Sequence, residues 1–184
     1  EGAGIYRHVW LNKYENVHIM QDGVFAGSAI VSNKAVVNVE TSLQNQSAAP
    51  SSAVVSVYMT DREGKIVAKS KDQPLTIAVN RQATAINNIS LVNFRNWTLD
   101  DPYLYRIIVE LRSNGKLIDQ QKIRLGLRHI DIKPNGVFLN GQHVKLFGVN
   151  NHQDHAGVGS ALPDYLQYYR IRLLKNMGVN AYRT

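Results

Sequence analysis

The sequence predicts a mainly β protein in which an antiparallel sandwich is followed by a strand–helix–strand unit. Between Ala35 and Leu127, about seven short segments alternate apolar and polar residues between turn signals, with no helical periodicity. Only Asp164–Met177 carries apolar residues at helical spacing, and apolar segments flank it on both sides. These observations predict an immunoglobulin-like sandwich and, after it, two parallel strands joined by a helix.

Composition excludes several classes of protein. The chain has 184 residues, 44% of them hydrophobic, which is enough to bury a sizeable core and argues against global disorder. The absence of cysteine excludes disulfides, thiolate chemistry and cysteine-ligated zinc within these residues. The net charge of +7 comes from scattered Lys and Arg, without basic clusters interleaved with aromatics, so no nucleic-acid partner is expected. No apolar run reaches membrane-spanning length, and no membrane partner is expected.

The N-terminal part is predicted to be β structure. Ile5–Leu11 and Val17–Met20 have strand character and are separated by a polar break at Asn12–Asn16. Turn signals in Gln21–Gly27 predict a boundary between two domains there. The abrupt start, which already has strand character, suggests that the chain does not begin at a natural N-terminus.

The central strands follow the period-two rule. One strand has four residues on one face, Val37, Val39, Thr41 and Leu43, and the next alternates through Val55, Val57 and Met59. The turn Asp61–Lys65 predicts a hairpin with Ile66–Ala68. Further strands are predicted at Leu75–Val79, at Ala85–Val92 (with Asn87, Asn88 and Ser90 as its interleaved polar residues), at Tyr103–Leu111 and at Leu117–Leu125.

The C-terminal part has a different pattern. Asn135-Gly136 and Asn140-Gly141 separate short strands, and Val144–Val149 is an apolar run expected to form a buried strand. The predicted helix Asp164–Met177 has Pro163 at its start and Gly178 at its end. Its apolar stripe is Leu162, Leu166, Tyr169, Leu173 and Met177. Val179–Tyr182 is predicted to be the second parallel strand, joined by a right-handed crossover.

A polar cluster directly follows the first of these two strands. Residues 150–155 read Asn, Asn, His, Gln, Asp and His, so side chains that form hydrogen bonds lie at the carboxyl end of a predicted strand. The α/β class of sheets and barrels places its binding sites at that end. The sequence therefore places its candidate site there.

Five segments resemble glycoside hydrolase family 2, the group of β-galactosidases, β-glucuronidases and β-mannosidases. GAGIYRHVWL resembles the end of the family's sugar-binding jelly roll, and WTLDDPYLYRIIVEL resembles a late segment of its immunoglobulin-like domain. IRLGLRHIDI, FLNGQHVKLFGVNNHQDHAGVGSA and LLKNMGVNAYRT resemble the entry into its (β/α)8 barrel. Two departures are small: Leu127 stands where Phe is common, and Thr98 where Ser is common.

The resemblance implies a domain order. Residues 1–22 would be the C-terminal end of the jelly roll, residues 23–127 the immunoglobulin-like sandwich, and residues 128–184 the incomplete start of the catalytic barrel. The chain would then be an internal fragment of a retaining, exo-acting β-glycosidase, most similar to a β-galactosidase. A retaining glycosidase uses two carboxyl groups, and the family's two glutamates have no match in these residues. No catalytic residue is assigned here, and the fragment alone is expected to be inactive.

The resemblance also implies roles in the polar cluster. His152 matches a histidine that contacts the sugar, and Arg183 matches an arginine beneath the active site, near the nucleophile. Asn150 and Asn151 are candidates for binding sugar hydroxyls or for bracing the strand end. Spacing alone leaves alternatives open: His152 could be a loop histidine bonded to backbone, and Arg183 could form a structural ion pair.

Other residues have structural and functional interpretations. His152, Asp154 and His155 could be combined into a metal cluster, but their spacing is loose and no metal is assigned. The resemblance leaves Mg²⁺ or Na⁺ possible in a full-length parent, held by residues outside this chain. Trp97, Pro102, Tyr103 and Tyr105 could form a sugar-stacking platform, although aromatics at alternate strand positions favour a core role.

A second class of function stays open at this point. The chain could be a non-catalytic β-sandwich module that binds carbohydrate or a partner protein, with the C-terminal segment as a tail. A tail has no need of an amphipathic helix between two parallel strands, which favours the enzyme. For the full-length parent, the resemblance implies a carbohydrate substrate, a homo-oligomer, and a periplasmic or extracellular rather than cytoplasmic setting.

Overall fold

The computed structural model describes residues 4–183, which fall into two compact units. The sandwich unit comprises Lys13–Ile130 with Leu139–Gly141, and the second unit comprises the remainder. The strands and helix in chain order are β1 Val17–Val31, β2 Lys34–Asn45, β3 Ser51–Thr60, β4 Ile66–Lys69, β5 Gln73–Ile77, β6 Gln82–Val92, β7 Tyr105–Ser113, β8 Lys116–Leu125, β9 Ile130–Lys133, β10 Gly136–Leu139, β11 Gln142–Val144, β12 Gly148–Asn150, α1 Asp164–Asn176 and β13 Ala181–Arg183. Among these residues, no helix is long and apolar enough to span a membrane.

Two antiparallel sheets form the sandwich, as the alternating pattern predicts. The first has the order β1-β2-β6, and the second has the order β4-β3-β7-β8 with β5 also paired to β3. The predicted inward faces of β2 and β3 are confirmed, because Val37, Leu43, Val57 and Met59 are completely buried. Each such side chain contributes about 1.5–3 kcal/mol of apolar burial to stability. The β3–β4 hairpin is likewise confirmed.

Strand β1 corrects the prediction for the N-terminal part. It runs through the predicted turn at Gln21–Gly27, so the predicted division between residues 22 and 23 falls inside a strand. The turn signal survives as an irregularity, because the register with β2 shifts between Ile19 and Val24 and Asp22 has φ of 53°. Pairing along the length of β2 outweighs the local turn preference and draws the strand into the sandwich.

The segment before β1 is a second correction. The predicted strand Ile5–Leu11 is not formed within the described residues, and the jelly-roll prediction for residues 1–3 lies outside them. The segment is instead part of the second unit, in which Arg7 Nη1 donates to the Leu162 carbonyl at 2.9 Å and His8 Nε2 lies 3.1 Å from Asp164 Oδ2. Residues 5–11 therefore have the sequence pattern of a strand but pair with no strand within the described part of the chain.

The aromatic residues near β7 belong to the core. Tyr103 and Tyr105 are buried and contact each other edge to face, with ring centroids 4.9 Å apart. The guanidinium groups of Arg62 and Arg95 lie 4.5 and 4.9 Å from the Tyr103 ring centroid. The core interpretation of these two tyrosines is confirmed, since a buried ring offers no face for stacking on a sugar.

The second unit contains the predicted parallel pair, in shortened form. β9, β10 and β11 form a sheet of order β11-β10-β9, and the turn Asn140-Gly141 has φ of 51° and 80°. The predicted strand Val144–Val149 is wrong in extent, because only Gly148–Asn150 forms β12 and Leu146 and Phe147 are exposed. Strand β12 pairs in parallel with β13.

Helix α1 lies between these two strands, close to its predicted bounds. Asp164 lies in its first turn and Lys175 in its last, which suits the helix dipole. The predicted apolar stripe is wrong in part, since Tyr169, Leu173 and Met177 are exposed. The half-buried row is instead Leu166, Arg170 and Leu174, spaced four residues apart.

Candidate functional site

The candidate site lies where the two parallel strands of the second unit end. Asn150 is the last residue of β12, Arg183 is the last described residue of β13, and the two are register partners. The backbone N–H of Asn151 donates to the Arg183 carbonyl at 3.3 Å, which continues the pairing for one residue beyond the strand. Parallel strands bring residues distant in sequence to one edge, so Arg183 lies beside the polar cluster.

A polar depression of about 530 Å³ is formed at this edge. All four residues singled out from the sequence line it, namely Asn150, Asn151, His152 and Arg183. The lining is completed by Gln153, Asp154 and Ser160. The structure therefore brings the sequence-predicted residues together around one space.

The side chains of His152 and Arg183 are available for a ligand. Both residues are exposed, and within residues 4–183 neither side chain makes a hydrogen bond or an ion pair. In the described part of the chain, His152 therefore has no backbone partner for its ring, and Arg183 has no carboxylate partner for a structural ion pair. Imidazole can both donate and accept, and guanidinium donates in a planar fork, so the pair suits hydroxyl and carboxylate groups.

Arg170 supports the loop that carries His152. Its Nη1 donates to the His152 carbonyl at 3.3 Å, and its Nη2 donates to the Asp154 carbonyl at 2.5 Å. Arg170 was not among the candidates identified from the sequence, because bonds from a side chain to the backbone leave no motif. The available signal was its spacing of four residues from Leu166 and Leu174, which puts it on the half-buried row of α1.

Asn180 is a second supporting residue that sequence analysis missed. Its Oδ1 accepts from the backbone N–H of Phe147 at 2.8 Å, and its Nδ2 donates to the Lys145 carbonyl at 2.9 Å. These bonds hold the segment before β12 against the segment before β13. The asparagine thus fixes where both short strands begin.

No metal centre is formed by the cluster His152, Asp154 and His155. Among the described residues, no three His, Asp or Glu side chains converge as metal ligands do. His155 contacts its own chain, with Nδ1 2.8 Å from the Ala156 carbonyl oxygen. The interpretation of these three residues as a metal cluster therefore has no support among the described residues.

A second depression, of about 710 Å³, lies on the sandwich, but its charged groups are engaged with one another. Glu110 accepts from Arg112 at 2.8 Å, and from Tyr58 and Gln120 at 3.1 and 3.2 Å. The Arg112 guanidinium lowers the pKa of the Glu110 carboxyl, and burial followed by the bond to Glu110 raises the pKa of Tyr58. These groups stabilise the sheet surface, and the free groups lie in the smaller depression.

Comparison with known proteins identifies one family along residues 17–128 and 130–184. The family described as Glycosyl hydrolases family 2 matches residues 17–128, and its TIM barrel domain matches residues 130–184. The β-glucuronidase of Bacteroides fragilis is 34% identical over 98% of this chain and 27% of its own length. The β-galactosidase of Thermoanaerobacterium thermosulfurigenes is 32% identical over 99% of this chain and 25% of its own length.

Solved structures agree as well. A glycosyl hydrolase family 2 member from Bacteroides cellulosilyticus superposes with a TM-score of 0.87 at 28% identity, over 92% of this chain and 24% of that one. The predicted fold class, a β-sandwich followed by the start of a (β/α)8 barrel, is confirmed by these matches. The chain spans about a quarter of the length of these relatives.

Proposed function

Because this chain belongs to glycosyl hydrolases family 2, we propose that it is the sandwich-to-barrel segment of a retaining β-glycosidase. One observation carries the proposal most directly. The free side chains of His152 and Arg183 line one depression at the ends of two adjacent parallel strands. Active sites of (β/α)8 barrels are built at that end of the strands, from residues of several strands.

The proposed role of the depression is to bind the sugar. His152, Asn150 and Asn151 would exchange hydrogen bonds with sugar hydroxyls, since imidazole and amide groups both donate and accept. Arg183 would hold a carboxylate of the reaction centre in a two-bond contact. Retaining cleavage needs two carboxyl groups about 5–5.5 Å apart, and the depression is lined by one carboxylate, that of Asp154. In this proposal the acid/base and the nucleophile come from glutamates outside these residues.

We favour a β-galactoside as the substrate. The relatives are named as both β-glucuronidases and β-galactosidases, so the family leaves the sugar open. Support for galactoside is the resemblance of the chain's motifs to β-galactosidases. A glucuronide differs from a galactoside by carrying a carboxylate. Arg183 is the cationic residue that lines the depression, and it is the group that could bind that carboxylate if the substrate were a glucuronide.

The proposal is tested by kinetics on the full-length enzyme that contains this segment. Nitrophenyl β-galactoside and nitrophenyl β-glucuronide are compared by kcat/KM, and the galactoside is expected to be the better substrate. If the full-length enzyme hydrolyses neither these two compounds nor any other β-glycoside, the proposal is overturned. A preference for the glucuronide would overturn only the choice of sugar. The purified 184-residue chain is expected to hydrolyse neither compound, and turnover by it would contradict the assignment of catalysis to outside residues.

A further inference from the structure

Arg170 of helix α1 forms hydrogen bonds to the loop that carries His152, the candidate sugar-binding histidine. Its two terminal nitrogens donate to the carbonyls of His152 and Asp154, at 3.3 and 2.5 Å. The two carbonyls belong to the residues on either side of Gln153, so one guanidinium holds the backbone before and after Gln153. His152, Gln153 and Asp154 all line the depression.

The rest of this loop has other anchors at its two ends. At the start, the Asn151 N–H donates to the Arg183 carbonyl at 3.3 Å. At the far end, the loop closes on itself, with the His155 N–H bonded to the Gly159 carbonyl at 3.0 Å. Among residues 4–183, the hydrogen bonds to the backbone of 152–154 come from Arg170.

We propose that Arg170 is a positioning residue, which sets the place of His152 in the depression without contacting the sugar itself. The inference rests on the proposed function for the identity of the ligand, a β-linked sugar. Placement matters because a catalytic contact displaced by about 1 Å can lower the rate by about a hundredfold. A charged donor bonded to two carbonyls is suited to prevent such a displacement.

Arginine is the residue type that this geometry requires. Its planar fork presents several N–H groups in fixed directions, so it can bond two carbonyls at once. Lysine keeps the charge but offers a single nitrogen on a flexible stem. Glutamine keeps a donor but removes the charge and shortens the reach. Lysine and glutamine therefore separate the effect of the fork from that of the charge.

The same helix supplies a matched control. Arg172 is exposed, and in the described part of the chain it makes no hydrogen bond or ion pair. The variants Arg170→Gln, Arg170→Lys and Arg172→Gln are made in the full-length enzyme. For each, kcat and KM on the wild type's best nitrophenyl β-glycoside, the Tm, and amide exchange of residues 151–155 are measured.

We expect Arg170→Gln to lower kcat/KM by about tenfold or more and to speed exchange at Gln153 and Asp154, with Tm close to that of Arg172→Gln. Arg170→Lys should recover part of the loss. Values of kcat/KM and loop exchange for Arg170→Gln equal to those of Arg172→Gln would overturn the inference. A lowered Tm with exchange raised throughout the chain would overturn it too, since it would make Arg170 a general support. Failure of the wild type to cleave any β-glycoside would overturn the proposed function. The comparison of amide exchange would still test whether Arg170 holds the backbone of residues 152–154.

Discussion

Asn150 and Arg183 are register partners in a parallel pair, so an amide and a guanidinium lie side by side on two neighbouring strands. Adjacent strands lie about 4.8 Å apart, which brings the two groups within reach of one small ligand. They are 33 positions apart in the chain, and helix α1 lies between them in the sequence. The pairing explains why a residue near the end of the sequence shares a depression with His152.

His152 is expected to contribute directly to turnover. In the full-length enzyme, His152→Ala should lower kcat/KM by about tenfold or more, which corresponds to about 1.4 kcal/mol of transition-state binding. His155→Ala is the matched control, because His155 is exposed, lies outside the lining and contacts the Ala156 carbonyl. Steady-state kinetics check the prediction, and equal activities of the two variants would assign His152 a structural role.

The carboxylate of Glu110 is expected to stabilise the sandwich in a pH-dependent way. Arg112 lowers the pKa of this carboxyl from its ordinary 4.5, so the folded chain binds the proton less tightly than the unfolded chain. Its contribution to stability is therefore complete above pH 4.5 and is lost as the pH falls through the lower, folded pKa. Glu110→Gln should lower the unfolding free energy by about 1 kcal/mol at pH 7, and the difference should shrink toward pH 3.

Urea unfolding from pH 7 to pH 3 measures this difference. The control is Glu40→Gln, because Glu40 is exposed on β2 and has no hydrogen-bond or ion-pair partner among the described residues. Its effect should be small at every pH. A Glu110→Gln effect that stays constant with pH would count against the charged network.

Gly126 is expected to be required by its contact with Trp97. A Cβ at this position would lie 2.8 Å from Trp97 Cδ1 and 3.0 Å from Trp97 Cγ, closer than such atoms approach. Gly126→Ala should therefore destabilise the sandwich by about 1–3 kcal/mol and change the fluorescence of Trp97. Gly27→Ala is the control, since its nearest neighbour would be Phe25 Cε1 at 3.7 Å, an ordinary contact. Similar stabilities and spectra for the two variants would contradict the prediction.

Leu111 tests the core that joins the two sheets. Its side chain is 0% exposed, whereas Leu117 on the neighbouring strand is 39% exposed. Leu111→Ala should lower the unfolding free energy by about 2–5 kcal/mol, through lost burial and the cavity left behind. Leu117→Ala should lose about 1 kcal/mol or less, because part of its surface already contacts water. Chemical denaturation followed by circular dichroism compares them, and equal losses would disprove the assigned inward face.

The sequence predicted the strands in which every second residue is buried in the core. Val37, Val39, Thr41 and Leu43 alternate because β2 lies on the core, and the repeat identifies the strand and its face. Strand β6 shows the limit of this rule. Asn87 is 2% exposed and Ile86 is 53% exposed, the reverse of what hydrophobicity favours. Asn87 is drawn inward because its amide donates to Ser70 Oγ and to the Lys71 carbonyl, both at 3.0 Å.

The candidate site divides in the same way. Residues 150–154 are contiguous and polar after an apolar strand, so their position at a strand end was predictable. Arg183 was identified through the family resemblance, and the structure brings it to the same depression. The bonding partners of Arg170 and Asn180 could not be predicted, because they are backbone carbonyls and N–H groups, which carry no sequence signature. Resemblance identifies the groups that face a ligand more readily than those that hold them.

The three-residue parallel pair also sets an order of events in folding. Each hairpin of the sandwich closes over a short turn, so its strands meet early. We expect β12 to meet β13 later than the hairpin strands meet, because this pairing closes over residues 151–180, a longer stretch of chain than any hairpin turn. We therefore expect the depression to open before the sandwich does, and amide exchange at Val149 and Tyr182 to be faster than exchange in the sandwich strands.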